Sequence, residues 1–134
     1  MSDRNTSWSS GQLNTVPVAA ATLVEFGHMA ARDAAGNLVM ASDTAGLTVC
    51  GMVHETADNS AGAAGDVSTT VRRGVACWFA NDATNPVTLA DLENDCYVKT
   101  SASVCVAAGA TNNIVAGRAL ELDPVYGVKV YMSL

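Results

Sequence analysis

Short stretches in which apolar residues alternate with polar or small ones are the strongest constraint on how this chain can fold. Residues 47–54 alternate Leu, Val, Gly and Val with Thr, Cys, Met and His, and residues 67–73, 75–79 and 125–132 keep the same period. A period of two places successive side chains on opposite faces of a β-strand, whereas an amphipathic helix repeats about every 3.6 residues. The chain is therefore expected to consist mainly of β-strands.

Turn-forming residues separate these stretches from further strand candidates. The segment 33–37 is expected to form a hairpin loop, because either Gly36 or Asn37 can adopt a positive φ. Thr88 followed by Asp91 is a capping pair that predicts one short helix over residues 89–94. Several short strands with frequent turns predict an all-β fold, a small β-barrel or sandwich of short antiparallel strands with that one helix. Additional candidate strands are residues 19–25, 28–32, 38–41, 96–100, 104–107 and 114–122.

The N-terminal segment differs in character from the rest of the chain. Residues 1–15 are rich in Ser, Asn and Thr, and their isolated large apolar side chains, Trp8 and Leu13, cannot build a core. We therefore expect an extended N-terminal arm over residues 1–16 and a single β-rich domain over residues 17–134. Such an arm could reach about 50 Å, far enough to contact a neighbouring subunit. No internal repeat is recognised in the sequence.

The apolar residues of the chain are mostly small. The hydrophobic fraction is 49%, but 23 Ala and 17 Val far outnumber 9 Leu, 2 Phe and 2 Trp. Because burial stabilises a fold in proportion to the apolar area removed from water, a core of such residues stabilises a monomer less than the percentage suggests. Association with other subunits or with a docking surface would compensate for this deficit.

Charge and hydropathy exclude two classes of partner. The formal net charge is −6, whereas nucleic-acid binding needs clustered Lys and Arg side chains to neutralise phosphates. No apolar run approaches the roughly 18 residues of a membrane-spanning helix, and the polar N-terminus lacks the apolar stretch of a signal peptide. We expect a soluble protein made in a cytoplasm, with neither nucleic acid nor membrane as a partner.

The four cysteines are Cys50, Cys77, Cys96 and Cys105, and no two of them have the close spacing of a zinc knuckle. Three of them lie in Val-rich segments, where a free cysteine behaves as a small buried hydrophobic residue. Buried thiols are therefore expected in preference to disulfides or a metal site.

Motifs that carry catalysis are not apparent. The sequence has no nucleophile elbow, phosphate-binding loop or paired-histidine metalloprotease motif. The nearest approach to a catalytic cluster is His54 with Glu55 and Asp58, but adjacent residues of a strand point to opposite faces of the sheet. We predict no catalytic, cofactor-binding or metal-binding residue, and the chain is not expected to be an enzyme.

Five residues are candidates for contacts with partners. Arg72 and Arg73 form the only pair of adjacent basic residues in an acidic chain, and arginine suits bidentate pairing with a carboxylate across an interface. Trp8 and Leu13 lie on the polar arm, where no local core can bury them, and aromatic anchors often supply interface energy. Trp78, between Cys and Phe on an expected strand, is predicted to lie in the core or in a subunit contact.

An ordered series of segments resembles the head decoration, or cement, proteins of tailed bacteriophages. The resemblance extends from Val16 to Leu122, and it depends on turns and strand edges rather than on a catalytic signature. Its segments are VPVAA at 16–20, residues 27–40 with the DAAG hairpin, VCGMV at 49–53, DNSAGAAGD at 58–66, VRRGV at 71–75 and IVAGRAL at 114–120.

This resemblance implies a β-rich domain on the outer surface of a phage head. Copies of the domain would form homotrimers that clamp neighbouring copies of the major capsid protein and so stabilise the shell. The family has no catalytic residues to assign, and the Trp8 arm and the four cysteines depart from its pattern. The alternatives are another virion component, such as a tail or head fibre, and a small-ligand or glycan-binding barrel, which would have a concave pocket with convergent polar groups.

Overall fold

The computed structural model describes residues 4–6 and 12–132, and its regular structure is almost entirely β. The predicted all-β fold is confirmed. The helix expected over residues 89–94 is a single 3-10 turn, Leu89–Asp91, and a second such turn is Ala107–Gly109. The strands are β1 (Leu13–Pro17), β2 (Thr22–Val24), β3 (Met29–Arg32), β4 (Leu38–Met40), β5 (Thr48–Val53), β6 (Ala57–Asn59), β7 (Ser68–Arg72), β8 (Val75–Asn81), β9 (Asp95–Thr100), β10 (Ser103–Cys105), β11 (Val115–Asp123) and β12 (Gly127–Met132).

The first half of the chain, residues 12–72, forms a five-stranded sheet in the order β1-β7-β5-β3-β4. All of its neighbouring strands are antiparallel. The two edges of the sheet approach each other through a single parallel bridge between Val18, just after β1, and Leu38 of β4. This bridge curls the sheet into a barrel-like first half, which we call the first barrel.

The second half, residues 75–132, is a closed barrel in the order β10-β8-β12-β11-β9. Its strands are antiparallel except for β8 and β10, which pair in parallel through Ala80 with Ser103 and Asn81 with Val104. We call this unit the second barrel. Full closure removes free sheet edges, which is one way in which small all-β proteins avoid edge-to-edge association.

The two barrels are copies of one architecture. Ala30 of β3 pairs with Gly51 of β5, and Cys96 of β9 pairs with Gly117 of β11, with a register shift next to each pair. The parallel Val18–Leu38 bridge corresponds to the parallel pairing of β8 with β10. The correspondence is one of topology and register, and it is not visible as a repeat in the amino-acid sequence. The equivalent strands are β1 and β8, β3 and β9, β4 and β10, β5 and β11, and β7 and β12.

Equivalent positions also fill the two barrel interiors. Buried residues of the first barrel have buried counterparts in the second, and all but one of these pairs differ in side-chain size. Thr69 is the polar member of this set, and its hydroxyl donates to the carbonyl oxygen of Glu55 at 2.7 Å. The pairs are Val16 and Phe79, Ala30 and Cys96, Leu38 and Val104, Cys50 and Ala116, Val53 and Ala119, Thr69 and Val128, and Val71 and Val130.

The outer wall of the first barrel packs against one end of the second. Met29 and Ala31, which flank the inward-facing Ala30, are fully buried in the core cluster of the second barrel together with Met132. At the same place the sulfur atoms of Cys77 and Met52 lie 3.5 Å apart. The small core of each barrel is therefore extended by contact with the other.

A polar contact joins the same two barrels at their loops. The carboxylate of Asp43 accepts hydrogen bonds from the backbone N–H groups of Thr111 at 2.7 Å and Asn112 at 2.8 Å, and the Asn112 side-chain amide donates to the Asp43 carbonyl oxygen. These bonds hold the pKa of Asp43 below its usual value. Asp43 thus ties the loop after β4 to the loop before β11.

Two short strands lie where the sequence analysis expected no strand. β1 begins at Leu13, before the expected domain boundary at residue 17, and pairs with β7 along its whole length. β6 lies between the candidate strands at residues 47–54 and 67–73, where no strand was predicted, and pairs with β2. Asn59 at the end of β6 is buried, and its amide donates to the carbonyl oxygens of Val18, Ala19 and Ala63.

Candidate functional site

The predicted contact residues fall on two separate parts of the molecule. Leu13 and Arg72 are cross-strand partners in β1 and β7, and Leu13 is 46% exposed. The backbone N–H of Arg73 donates to the carbonyl oxygen of Gln12, so β1 also fixes the start of the connection to β8. Trp8 lies outside the described residues.

The two adjacent arginines do not act as one basic site, because they face opposite sides of the strand. Burial raises the pKa of the Cys77 thiol, and the positive charge of Arg72 opposes that rise. Burial likewise raises the pKa of Cys50, where Arg73 is one of the opposing charges. Arg72 is thus close to the second barrel, and Arg73 is close to the interior of the first.

Arg73 carries an unusual polar atom. Its Nε is buried, and within the described residues it has no hydrogen-bond partner. A buried guanidinium N–H without an acceptor costs free energy, so such a group in a folded protein calls for an explanation.

Trp78 belongs to an exposed aromatic surface on the second barrel. Its ring centroid lies 5.8 Å from that of Tyr126 with the planes tilted by 44°, a favourable geometry for two aromatic rings. Trp78 pairs across the strands with Lys129, whose ammonium group lies 3.5 Å from a carboxylate oxygen of Glu121. We call Trp78, Val125, Tyr126, Lys129 and Tyr131 the aromatic patch.

The turn between β11 and β12 presents the most exposed part of this patch. The carboxylate of Asp123 accepts the backbone N–H groups of Val125 and Tyr126 at 2.8 and 2.9 Å, and these bonds lower the pKa of Asp123. The turn is thereby fixed with Val125 85% and Tyr126 65% exposed. The sequence analysis placed both residues in a strand, and the only available signal was the position of two large apolar residues after Pro124.

Two depressions lie next to these surfaces. One, of about 350 Å³, runs between the barrels, with residues 47–51 on one side and the equivalent residues 113–117 on the other. The second, of about 370 Å³, lies on the outer wall of the second barrel and is lined by Asp95, Val115, Gly117, Arg118 and Tyr131.

The two histidines lie next to strand ends, and Asp58 lies in β6. His28 Nδ1 lies 2.7 Å from the hydroxyl of Ser101, whereas His54 Nδ1 is buried and has no hydrogen-bond partner among the described residues. Asp58 accepts hydrogen bonds from Ser60, which lower its pKa and shape the turn after β6. Over residues 4–6 and 12–132, His, Cys, Asp and Glu form no group of three or more that could hold a metal ion.

All four cysteines are free thiols, and all but Cys77 are buried. Burial raises the pKa of Cys96 to about 12, so this thiol stays protonated at neutral pH. The cysteines therefore act as packing residues at both barrel interiors and at the contact between the barrels.

Comparison of the chain with family models, curated proteins and solved structures finds no match. In the described part of the chain no helix has the length and apolar character needed to cross a membrane. The site must therefore be interpreted from its own geometry, and that geometry is an exposed aromatic surface on a rigid barrel.

Proposed function

We propose that this chain is a structural virion protein that binds the outer surface of a phage capsid, as a trimer, and stabilises the shell by clamping neighbouring major capsid proteins. The proposal starts from the order of segments between Val16 and Leu122 that resembles head decoration proteins. The structural observation that carries it is the aromatic patch. Exposed aromatic side chains on a rigid scaffold are typical of protein–protein contact sites.

Clamping suits a surface of this kind. The patch combines large apolar area at Trp78 and Tyr126 with one exposed ion pair, Lys129–Glu121. An exposed ion pair contributes little affinity, so the aromatic side chains would supply most of the binding energy. Several weak contacts between one oligomer and the shell can together give tight binding. Once one contact has formed, the remaining binding sites are held close together, at a high effective concentration.

A ligand-binding barrel is less well supported. The interior of the second barrel is filled by Phe79, Val98, Val104, Val128 and other buried side chains. The two depressions lie between the barrels and on an outer wall, and the second of them is lined by Asp95, Arg118 and Tyr131 as well as Val115 and Gly117. Neither depression lies in a barrel interior, where a ligand-binding barrel holds its ligand.

The direct test adds purified chain to undecorated, expanded heads of the phage that encodes it and measures bound copies and the temperature at which heads rupture. We expect saturable binding and a higher rupture temperature. Trp78→Ala and Tyr126→Ala should each weaken binding at least about tenfold, since aromatic hot spots contribute about 2 kcal/mol or more. Leu89→Ala, at an apolar side chain that is 76% exposed on the 3-10 turn, is the matched control and should bind normally.

Two outcomes would overturn the proposal. The first is an unchanged rupture temperature with no bound protein. The second is localisation of the chain to a tail or fibre in virion images, which would favour the alternative virion role. A variant lacking residues 1–11 tests the expectation for Trp8 and should attach more weakly while its thermal unfolding stays close to that of the full chain.

A further inference from the structure

Within residues 12–132, the contact between the barrels uses one surface of each barrel, and each barrel has a second surface of the other kind. Within the chain, the outer face of the sheet of the first barrel packs against one open end of the second barrel. We call these two kinds of surface the wall, which includes Met29 and Met52, and the end, which includes Cys77 and Met132. Both barrels have the same strands in the same register, so each barrel has both a wall and an end. The internal contact uses the wall of the first barrel and the end of the second.

The unused wall lies on the second barrel. The counterparts of Met29, Val49 and Met52 there are Asp95, Val115 and Arg118, by the register of β9 with β11. Asp95 and Arg118 are exposed and Val115 is 44% exposed, whereas Met29 is fully buried. These residues line the 370 Å³ depression on the outer wall. The second barrel thus presents an open concave surface where the first barrel presents a covered one.

The corresponding end of the first barrel meets no barrel within the described residues. Arg73 is the counterpart of Met132 there, by the register of β1 with β7 and of β8 with β12. Met132 is buried by the first barrel, whereas Arg73 has a buried Nε with no acceptor among the described residues. The end of the first barrel therefore has a cation where the internal contact has a thioether.

The two surfaces carry one pair of opposite charges. Apolar residues of the internal contact have polar counterparts here: the wall has Asp95 and Arg118 where the first barrel has Met29 and Met52, and the end has Arg73 where the second barrel has Met132. Docked as the internal contact is docked, Arg73 would meet the wall that holds Asp95, and a guanidinium group pairs well with a carboxylate.

We propose that copies of this chain associate head to tail, with the open wall of the second barrel of one copy receiving the end of the first barrel of the next. The proposal deepens the self-association part of the proposed function and does not depend on capsid binding. A heterologous contact of this kind closes into a ring when the rotation between copies allows it. A trimer would then be a ring in which internal and intermolecular contacts alternate.

The test measures the mass of the full-length chain in solution by light scattering and native mass spectrometry at low ionic strength. We expect a closed oligomer whose dissociation constant rises at higher salt, because the contact includes ion pairs. A wild-type chain that stays monomeric up to about 100 µM would overturn the proposal, since specific interfaces bind more tightly than that.

Charge-reversal variants test whether these two surfaces form the contact between copies. Asp95→Arg changes an exposed residue and should weaken association at least about tenfold, and Arg73→Asp should do the same. The double variant Arg73→Asp with Asp95→Arg restores opposite charges across the contact and should recover association. Because Arg73 is half-buried, thermal unfolding checks that its variants fold, and the Asp95→Arg result holds if they do not. Glu25→Arg is the matched control at another exposed acidic residue and should associate normally.

Two further outcomes decide between this contact and others. Association that survives Asp95→Arg and is lost on removal of residues 1–11 would overturn the proposal and assign assembly to the N-terminal segment. The head-binding assay separates the two proposals. A monomeric chain that binds and stabilises heads would support the proposed function and rule out the head-to-tail contact. A head-to-tail oligomer that does not bind heads would support the contact and rule out the proposed function.

Discussion

Gly51 and Gly117 occupy the same position in the two barrels, and each lies against the backbone of a neighbouring strand, β7 for Gly51 and β12 for Gly117. Gly51 has a φ of 142° and Gly117 a φ of 158°. A β-carbon at Gly51 would collide with the carbonyl oxygen of Arg72, and one at Gly117 would collide with that of Tyr131. Each glycine follows a bulge residue, Cys50 or Ala116, which is buried. The bulge that bends β5 or β11 therefore requires glycine at the next position, because a side chain there would overlap with the neighbouring backbone.

Substitution of either glycine should destabilise its barrel to a similar degree. Gly51→Ala and Gly117→Ala combine an unfavourable φ with overlap against backbone atoms, and we expect each to lower the free energy of unfolding by about 3 kcal/mol in urea titrations. Gly36→Ala is the control, because Gly36 has a φ of 88° but open space around it. It should cost only about 1 kcal/mol. Equal losses at all three positions would show that φ alone, and not the close approach, requires glycine.

Local features could be predicted from the sequence because they depend on residues that are close together along the chain. The hairpin at 33–37 has Gly36 at positive φ, with the Asp33 carboxylate accepting the N–H groups of Ala35 and Asn37. The capping pair of Thr88 and Asp91 is also present, but the helix ends after one turn. The period of two predicted most of the strands.

Features that depend on contacts between residues far apart in the sequence could not be predicted. In β5 the alternation breaks at the bulge, so Cys50 and Val53 both face the interior although a strict period of two places them on opposite faces. The repeat was hidden because core positions need only a small apolar group: Val16 corresponds to Phe79, and Ala30 to Cys96.

The candidate site was predicted only in part. Trp78 could be named from its sequence because a large aromatic side chain stands out in a chain of small residues. Its neighbour Tyr126 comes from a turn that is brought across by the pairing of β8 with β12. The different surroundings of Arg72 and Arg73 depend on which barrel each side chain faces, and this follows only once both barrels are formed.

Acid should weaken the contact between the barrels through Asp43. Hydrogen bonds from Thr111 and Asn112 lower the folded-state pKa of Asp43 below the unfolded value of about 3.9. The carboxylate therefore stabilises the fold fully above the unfolded value, and this contribution is lost as the pH falls through the lowered folded value. Asp43→Asn should reduce the urea midpoint at pH 7, and this difference should shrink as the pH falls through the lowered pKa, because the wild-type carboxyl then becomes protonated itself. Glu25→Gln is the control, and a loss at Asp43→Asn that is independent of pH would contradict the prediction.

Thiol reactivity should follow burial. Cys96, with its pKa raised to about 12, should resist alkylation by iodoacetamide at pH 8 in the native protein, because almost none of it is thiolate. Cys77 is less buried and should be modified first. Peptide mapping by mass spectrometry gives the rate at each site, and the urea-unfolded chain, in which both cysteines should react alike, is the control. Native labelling of Cys96 as fast as Cys77 would mean that the second barrel opens readily.

The contact between the barrels should be a major source of stability, because each barrel has a core of small residues. Met29 belongs to the first barrel but is fully buried in the core of the second. Met29→Ala should lower the free energy of unfolding by about 2–5 kcal/mol through lost burial and the cavity left behind. Leu89→Ala, at an exposed apolar residue, should change it by less than about 0.5 kcal/mol. If the barrels depend on each other, both variants unfold in one transition. A Met29→Ala chain that melts in two separate steps would show that each barrel is stable alone.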